Sequence, residues 1–554
     1  MAQKRLYLSC DFETTTDPND VRVWASCCVD IETLEKVHIS NNIEATFEYL
    51  KDKNTVCYYH NLKFDGEFIL SYLLRNGYKY SDDKKAKTFS TLISDDGQFY
   101  SITVIFDRAN KKYKKVVFYD SLKKLPFKVA VIAKTFNLPV AKGEIDYTKP
   151  RPVGYQITDN EEDYIYTDCR IVAEALQIQM GKGLKRMTNA SDAMRNYMEI
   201  MTEKRFEYYF PKLPVELDAD IRRAYKGGYV YLKPEHRNKR GLQGLTLDVN
   251  SLYPSVMYDR VLPYGYPMYF EGEPNPDERY NLFIVRLECA FDLKPGHLPT
   301  IQLKNNRAFV ETEYLTTSDG DIVEMTLTSV DLKLFLEHYD VSNLTYICGW
   351  KFKGISGLFK EYIDYWMHIK ETTTGAMRQL AKLMLNSLYG KFATNPKARK
   401  KIPYLDEDGI VRYKIGDEEL RDPVYTAMGA FITAYAREKT IRSGQAVFDR
   451  FIYADTDSLH LIGFDVPEGL DVHPTKLGGW KNEGEFTDSK FIRAKTYMET
   501  TAEGTKVTCA GMPDNVKEQV TYDNFTPGST FEGKLMPKRF PGGIVLMPTT
   551  FTIK

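Results

Sequence analysis

The residues best suited to chemistry in this chain are carboxylates that recur at short, regular spacings. In "FIYADTDSLHLIGF", residues 451–464, Asp455 and Asp457 stand one residue apart between two apolar, β-prone runs, Phe451 to Ala454 and Leu459 to Phe464. The polar Asp-Thr-Asp-Ser between them is a tight hairpin turn, so both acids sit at its tip. At an effective dielectric of about 20, two carboxylates ~4 Å apart repel by roughly 4 kcal/mol, and a divalent cation is the natural offset. In "LTLDVNSLYPSVM", residues 245–257, an apolar strand ends at Asp248 and turns into a helix whose first N–H groups are free to receive phosphate oxygens. Asp248, Asp455 and Asp457 make one acidic set.

The N-terminal third holds a second. In "RLYLSCDFETTT", strand alternation puts Leu6, Leu8, Cys10 and Phe12 on one face and Tyr7, Ser9, Asp11 and Glu13 on the other, so Asp11 and Glu13 project together. "YYHNLKFDGEF" then supplies Asp65 ahead of Gly66. In "TDNEEDYIYTDCRIVAEAL", Thr158 and Glu161 form a capping-box helix start, with Tyr164 and Asp168 one helical turn apart. D-x-E alone fits any edge strand. The order D-x-E, N-x-x-F-D, Y-x-x-x-D is far more specific and puts four acids and a tyrosine within reach of a common site.

A third stretch, "SGLFKEYIDYWMHIKETTTGAMRQLAKLMLNSLYGKFATNP" (356–396), has the pattern of two helices broken at Thr372 to Gly375, an αα-hairpin. On the second helix Arg378, Lys382, Asn386 and Tyr389 fall within an arc of about 80°, while Leu380, Leu383, Met384 and Leu388 spread over the other side. A solvated charged face explains the cations, but it does not ask for Tyr389-Gly390 at its end. A triphosphate, a base pair and a close-approaching backbone do.

The elements that position these groups need a large scaffold. A chain of 554 residues suggests about three or four domains, and 43% hydrophobic, 13% aromatic and 27% charged residues describe a soluble globular protein. Eight cysteines without a C-x-x-C pair make neither a disulfide framework nor a zinc site and fit a reducing compartment. No signal peptide or membrane-spanning run is evident, so a cytosolic protein is expected. With 75 basic against 76 acidic residues, net charge does not announce a nucleic-acid partner; basic character is local, in "KGLKR", "KPEHRNKR", "NPKARKK" and "KLMPKR". Strands and helices alternate to about residue 187, longer helices follow, and hairpins close the chain.

Residues 1–187 resemble the 3′-5′ exonuclease domain of proofreading DNA polymerases, with three motifs at Asp11 to Glu13, Asn61 to Asp65 and Tyr164 to Asp168. Downstream, D-V-N-S-L-Y-P, K-x-x-x-N-S-x-Y-G, Y-x-D-T-D-S and K-x-Y (Lys495 to Tyr497) stand in order, with Tyr225 to Gly228 joining the halves. From end to end the chain resembles the protein-primed family B DNA polymerases of phages like phi-29. The resemblance implies an α+β and α/β multidomain fold: an RNase H-like exonuclease domain (1–187), then a right-hand polymerase with palm (188–259 and 424–509), fingers (358–394) and thumb (510–554). It assigns 260–357 to an insertion contacting a priming protein, and 395–423 to a second that closes a ring around DNA, giving processivity and strand displacement. By the residues alone, "IPYLDEDGIVRYKIG" in that second segment is a hairpin with Gly409 in its turn.

The resemblance also implies roles. Asp11, Glu13, Asp65 and Asp168 would hold two divalent metals, Mg²⁺ or Mn²⁺, for which oxygen-only donors are suited. Tyr164 would orient the attacking water and Lys142 support the scissile phosphate. His60, Asn61, Phe64, Ser121, Leu122 and Phe127 would hold the frayed primer strand. In the polymerase half, Asp248 and Asp457, with Val249 beside them in the ligand set, would hold two more ions, and Asp455 would assist electrostatically. Lys370 and Lys382 would bind the triphosphate, Asn386 and Tyr389 shape the base-pair pocket, and Tyr253 exclude a 2′-hydroxyl. Lys495 and Tyr497 would hold the primer terminus; Tyr225, Gly227 and Gly228 would steady the template, glycine allowing close approach to DNA. Expected partners are primer-template DNA and its displaced strand, dNTPs and a terminal priming protein, with the chain a monomer that pairs with that protein at initiation, in the cytoplasm of a bacterial host. A stand-alone nuclease would leave the second acidic set idle, and a non-catalytic scaffold would need neither.

Overall fold

The computed structural model describes residues 5–109, 112–302 and 314–554. The N-terminal unit is an eight-stranded mixed sheet. Its strands Leu6–Thr14, Thr55–Tyr59 and Lys112–Asp120 run parallel side by side, with Cys10 abreast of Tyr59 and Tyr59 abreast of Asp120. The residues that follow, Asp11, His60 and Ser121, therefore emerge together at the carboxyl ends of three parallel strands, the usual position of a ligand crevice in such sheets. On one face Leu8, Cys10, Phe12 and Tyr59 pack with Phe68, Ile69 and Leu73 of the helix Leu62–Arg75. On the other, Trp24, Val56 and Tyr58 pack with Ile165, Ile171 and Leu176 of the helix Asp159–Gly181. The predicted alternation in the first strand holds, but both faces are covered: Ser9 and Glu13 are buried along with Leu8 and Phe12. The capping box at Thr158 and Glu161 forms.

The second half is built on a five-stranded antiparallel sheet in the order Trp480–Phe486, Gly244–Val249, Ser458–Ile462, Phe451–Asp455, Val230–Leu232. The helix Thr426–Ala446 packs beneath it, small where it must approach closely: a Cβ on Gly444 would lie 3.0 Å from the Phe451 ring. The αα-hairpin forms as Lys360–Thr372 and Gly375–Ser387, tied by the Tyr362 hydroxyl donating to the Met384 carbonyl at 2.8 Å. Its second helix ends before Tyr389, which instead opens a short helix, Tyr389–Phe392. Within the span 260–357 a four-stranded sheet has a core of its own around Phe283, Val285, Leu287 and Phe335; residues 303–313 of that span lie outside the described residues. The hairpin Lys401–Leu405 and Val411–Ile415 turns at Gly409, φ +74°, and lends Val411 to the N-terminal core. The terminal hairpin Thr530–Phe540 and Gly543–Thr552 lends Ile544 to the same core. Among the described residues no helix is long and apolar enough to cross a membrane.

The two halves are joined through a buried ion pair. Lys124, following the sheet, pairs with Asp192 on the helix Asn189–Met201 and also donates to the Leu184 carbonyl at 3.1 Å. Burial drives the lysine down and the aspartate up, and each is opposed by the other's charge. Removing one member leaves a lone charge in a dry site. Lys124→Met is therefore expected to destabilise the chain by about 3–5 kcal/mol, seen as a lowered first thermal transition, and the apolar double variant Lys124→Met with Asp192→Leu to recover most of that loss.

Candidate functional site

The first site is a cleft of about 340 Å³ at the carboxyl edge of the N-terminal sheet, lined by Asp11, Glu13, Asp65, Asp168, Lys142 and Tyr164 among others. Asp65 occupies the first turn of the helix Leu62–Arg75, whose N-cap Asn61 is left-handed at φ 74°. That turn is held by Asp120, whose Oδ1 accepts from the N–H groups of Asn61, Leu62 and Leu122 at 3.1, 3.3 and 3.1 Å. Lys142 pairs with Asp168 and lies 5.0 Å from the centre of the Tyr164 ring, while the Tyr147 and Tyr164 hydroxyls share a 2.8 Å hydrogen bond. Lys142 and Tyr147 both ride on the irregular segment 139–158. Arg151 anchors it: the guanidinium sits 4.0 Å over Trp24, donates from Nε to Glu161 at 3.1 Å, and reaches the Asp146 carbonyl at 2.8 Å.

Crowding shows in the electrostatics. Burial, with Asp168 adding repulsion, pushes Asp11 up to about 7. Glu13 and Asp65 are raised by burial and then by Asp11, and Asp168 is raised by burial against the pull of Lys142. Asp65 Oδ1 and Asp168 Oδ1 are buried without a hydrogen-bond partner. Hard, oxygen-only, unsatisfied donors fit Mg²⁺ or Mn²⁺. Among the described residues no group of three or more acids is already placed as a metal-ligand set. His60, Asn61 and Phe64 line the cleft, and Ile544, Val545 and Leu546 of the terminal hairpin form its far wall. Ser121, Leu122 and Phe127 do not line it. Ser121 bonds the His60 ring at 3.0 Å and donates to the Tyr59 carbonyl at 3.1 Å, and the other His60 nitrogen meets the Phe127 carbonyl at 2.7 Å.

The second site lies along one rung of the five-stranded sheet. Asp248 is opposite Ser458, Ser458 opposite Asp455, and Asp455 opposite Val230. The turn between the acids is left-handed at Thr456, φ 58°, and is pinned by Thr456 N–H to the Tyr229 carbonyl and Val249 N–H to the Asp457 carbonyl, both 2.7 Å. Asp248 is pushed up to about 7 by burial, then by Asp457 and Glu483. Asp457 is raised by burial, with Asp455 adding to it. Asp455 has partners of its own: Lys495 Nζ lies 2.8 Å from both its oxygens and the Tyr453 hydroxyl donates at 3.2 Å. Tyr497, two residues on, stacks on Phe491 at 5.2 Å and 20°.

Facing this rung, Lys370 donates to Ser251 Oγ at 2.8 Å, beside the start of the helix Leu252–Asp259. Burial lowers Lys370, and Lys382 and Arg378 lower it further. Lys382 and Arg378 thus lie near enough to Lys370, which is held beside a helix start, to repel it. Asn386 is exposed on the helix Gly375–Ser387 that carries Lys382, and Tyr389 stacks on Tyr253 with centroids 4.0 Å apart and planes at 17°.

A family model described as "DNA polymerase type B, organellar and viral" matches residues 47–151 and 143–473. The chain belongs to the type B DNA polymerases. The DNA polymerases of Bacillus phages PZA and phi29 are each 48% identical to it, over 100% of this chain and 100% and 99% of theirs, and that of Streptococcus phage Cp-1 is 36% identical over 99% and 98%. Solved structures of Phi29 DNA polymerase superpose over the whole of both chains: the complex with primer-template DNA at a TM-score of 0.96, and the ternary complex with incoming nucleotide at 0.95, both at 47% identity. The fold is accordingly an exonuclease unit followed by a palm, fingers and thumb.

Several residues that organise this polymerase carry no motif. Arg437 is buried and bidentate to Asp331 at 2.8 Å, and its other nitrogen holds the carbonyls of Lys226 and Gly227 at 3.1 and 2.8 Å. Asp120 and Arg151 act comparably on the first site. Only Tyr147 had a visible signal, as the last residue of the "AKGEIDY" segment that supplies Lys142. Gly228 has a use that its motif does not show: its missing Cβ makes room for Thr456, whose Oγ1 would lie 2.5 Å from it, so the close approach it allows here is to the turn bearing Asp455 and Asp457. Gly227 faces open space.

Two outcomes follow from this geometry. Gly228→Ala must displace that turn, and primer extension is expected to fall about 100-fold, with trimming of single strands retained. Second, acids whose folded pKa lies above the unfolded value keep protons that the unfolded chain has released, so the metal-free protein loses stability as pH rises from about 4 through about 7. Thermal melts across that window should fall, the fall should flatten in Asp11→Asn with Asp248→Asn, and millimolar Mg²⁺ should raise the melting temperature at the alkaline end alone.

Proposed function

We propose that this DNA polymerase runs two reactions at two separate acidic sites: template-directed nucleotidyl transfer at Asp248 and Asp457, and 3′-5′ excision at Asp11, Glu13, Asp65 and Asp168. The observation that carries this is the presence of two distinct clusters of buried and half-buried carboxylates, each pushed above the usual acid range and each facing a basic or aromatic counterpart. The domain reading accompanies it, with exonuclease 1–187, palm 188–259 and 424–509, fingers 358–394, thumb 510–554, and insertions 260–357 and 395–423. Each site would take two Mg²⁺ or Mn²⁺ ions, which when bound activate the attacking oxygen and stabilise the leaving one.

The side chains supply the rest. Lys370 and Lys382 receive the triphosphate, with Asn386 and Tyr389 shaping the base-pair pocket. Tyr253, braced by Tyr389, presents a flat wall where a 2′-hydroxyl would fall and so selects deoxynucleotides by a clash. Lys495 holds Asp455 and, with Tyr497, the primer end. Tyr225 and Gly227 contact the template. In the first site Lys142 neutralises the scissile phosphate and Tyr164, fixed by Tyr147, orients water; His60, Asn61 and Phe64 receive unpaired bases, whose faces and edges suit aromatic and amide groups. The solved relatives hold primer-template DNA, single-stranded DNA and incoming nucleotides, which supports the same ligands here. We assign the insertion 260–357 to a terminal priming protein, the second insertion to processive strand displacement, and the site of action to the host cytoplasm.

Purified protein with Mg²⁺ and a labelled primer on circular single-stranded DNA tests the reading. Asp457→Ala should abolish extension and retain trimming without dNTPs, and Asp11→Ala with Asp65→Ala should do the reverse. Loss of both activities in either folded variant would refute the two-site assignment.

A further inference from the structure

The terminal hairpin returns to the N-terminal unit through a contact that neither reaction uses. Glu67, on the helix Leu62–Arg75, is 2% exposed and faces away from the acids of the cleft toward the strand Thr530–Phe540. Arg539 on that strand meets it through two nitrogens, Nε at 2.9 Å and a terminal nitrogen at 2.8 Å, both on Oε1. The guanidinium also lies 4.9 Å from the centre of the Tyr413 ring, which belongs to the hairpin of the second insertion. Tyr413 in turn packs edge-on against Phe99 of the sheet, with ring centroids 6.3 Å apart. One ion pair therefore joins three parts of the chain that are remote in sequence.

Everything around the pair is shaped for close docking. Gly542, at φ +107°, passes so near the segment before the second strand that a Cβ would lie 2.3 Å from the Val21 carbonyl oxygen, and a Cβ on Gly543 would lie 2.3 Å from the Phe68 ring. Just beyond, Ile544 enters the N-terminal core, and Ile544 to Leu546 wall the excision cleft. The insertion hairpin is held to the same unit by Arg75 donating to the Gly409 carbonyl at 3.2 Å and by Lys400 pairing with Asp82 at 2.9 Å. The Glu67 carboxylate and the Tyr413 hydroxyl are buried in the joint, and the Arg539 side chain, 37% exposed, closes it on the solvent side. A charge-assisted contact to a buried carboxylate is strong while closed, and opening must hydrate that carboxylate.

We propose that Glu67 and Arg539, roofed by Tyr413, form a latch that closes the terminal hairpin and the insertion hairpin onto the exonuclease unit, and that its closure sets how many nucleotides the polymerase adds before it releases DNA. Arg539 and Glu67 are positioning residues, touching neither substrate nor reacting atoms. The inference rests on the proposed polymerase reading and adds to it which side chains keep the enclosure shut.

Glu67→Gln, Arg539→Gln and the double variant are compared with the wild type in two assays. Product length per binding event is measured on primed circular single-stranded DNA after a single encounter, with heparin as trap; single-nucleotide addition is measured on a short primer-template. The latch requires that both single variants shorten the product on the order of tenfold, the change in an equilibrium constant that follows from losing one charged contact, with the double variant no worse than either. Single-nucleotide addition should stay unchanged. The double variant leaves no lone buried charge and serves if a single one fails to fold. Shortening by Arg539→Gln alone would mean that Arg539 grips DNA directly and would overturn the latch, as would additive effects, unchanged lengths, or addition falling in step with length. A wild-type protein that makes no long product even without the trap would sink the parent reading and this one together.

Discussion

Like charges held together in partly buried places are the constraint on which this protein is organised. Each site gathers carboxylates whose repulsion and burial both oppose ionisation, and no local conformational preference would bring them together. The scaffold does so by register. Three parallel strands end abreast to offer Asp11, His60 and Ser121, and one rung of an antiparallel sheet carries Asp248, Ser458 and Asp455. Large apolar cores on both faces of the first sheet and under the second supply the free energy that opposes this repulsion.

Cations are distributed unevenly around the acids, and the unevenness separates their tasks. Lys495 takes both oxygens of Asp455 and Lys142 takes one of Asp168, while Asp248, Asp457 and Asp65 have no ion-pair partner among the described residues. In the opposing trio, Lys370 is lowered by Lys382 and Arg378 more than the nearby Glu371 raises it. In the proposed reaction each half of the second site holds charge that a bound reactant would satisfy, so that binding and electrostatic preparation become the same event.

Much of this was legible in the amino-acid order. Period-two alternation placed Asp11 and Glu13 on one side of a strand, the capping box placed Asp168 on its helix, and the turn chemistry of Asp-Thr-Asp-Ser placed Asp455 and Asp457 at a hairpin tip. What escaped were interactions without a periodic signature. The left-handed residues Asn61, Ser251, Thr456 and Lys495 sit at the turns of both sites, yet none is a glycine. Propensity cannot flag a conformation that only tertiary contacts enforce. Arg437 and Asp331, more than a hundred positions apart, look in sequence like ordinary helical charges. The stop of the helix Gly375–Ser387 was hidden as well, because "NSLYGKF" has no strong breaker before Gly390 and the end is set by packing of Leu388 and Phe392 into the core.

The single rung that carries Asp248 and Asp455 has a consequence for how such a chain can change over time. Side chains alternate along a strand, so inserting or deleting one residue within Gly244–Val249 or Phe451–Asp455 would turn every later side chain of that strand to the opposite face. An acid would enter the core and an apolar residue would take its place at the site. Substitutions can accumulate in these strands, but a change of length is tolerated only where a bulge absorbs it, as at Ile452 in Phe451–Asp455. Growth and shrinkage of the molecule are confined to connections that lie off the rung, such as the irregular stretch between Gly463 and Trp480 or the hairpin turn at Gly504.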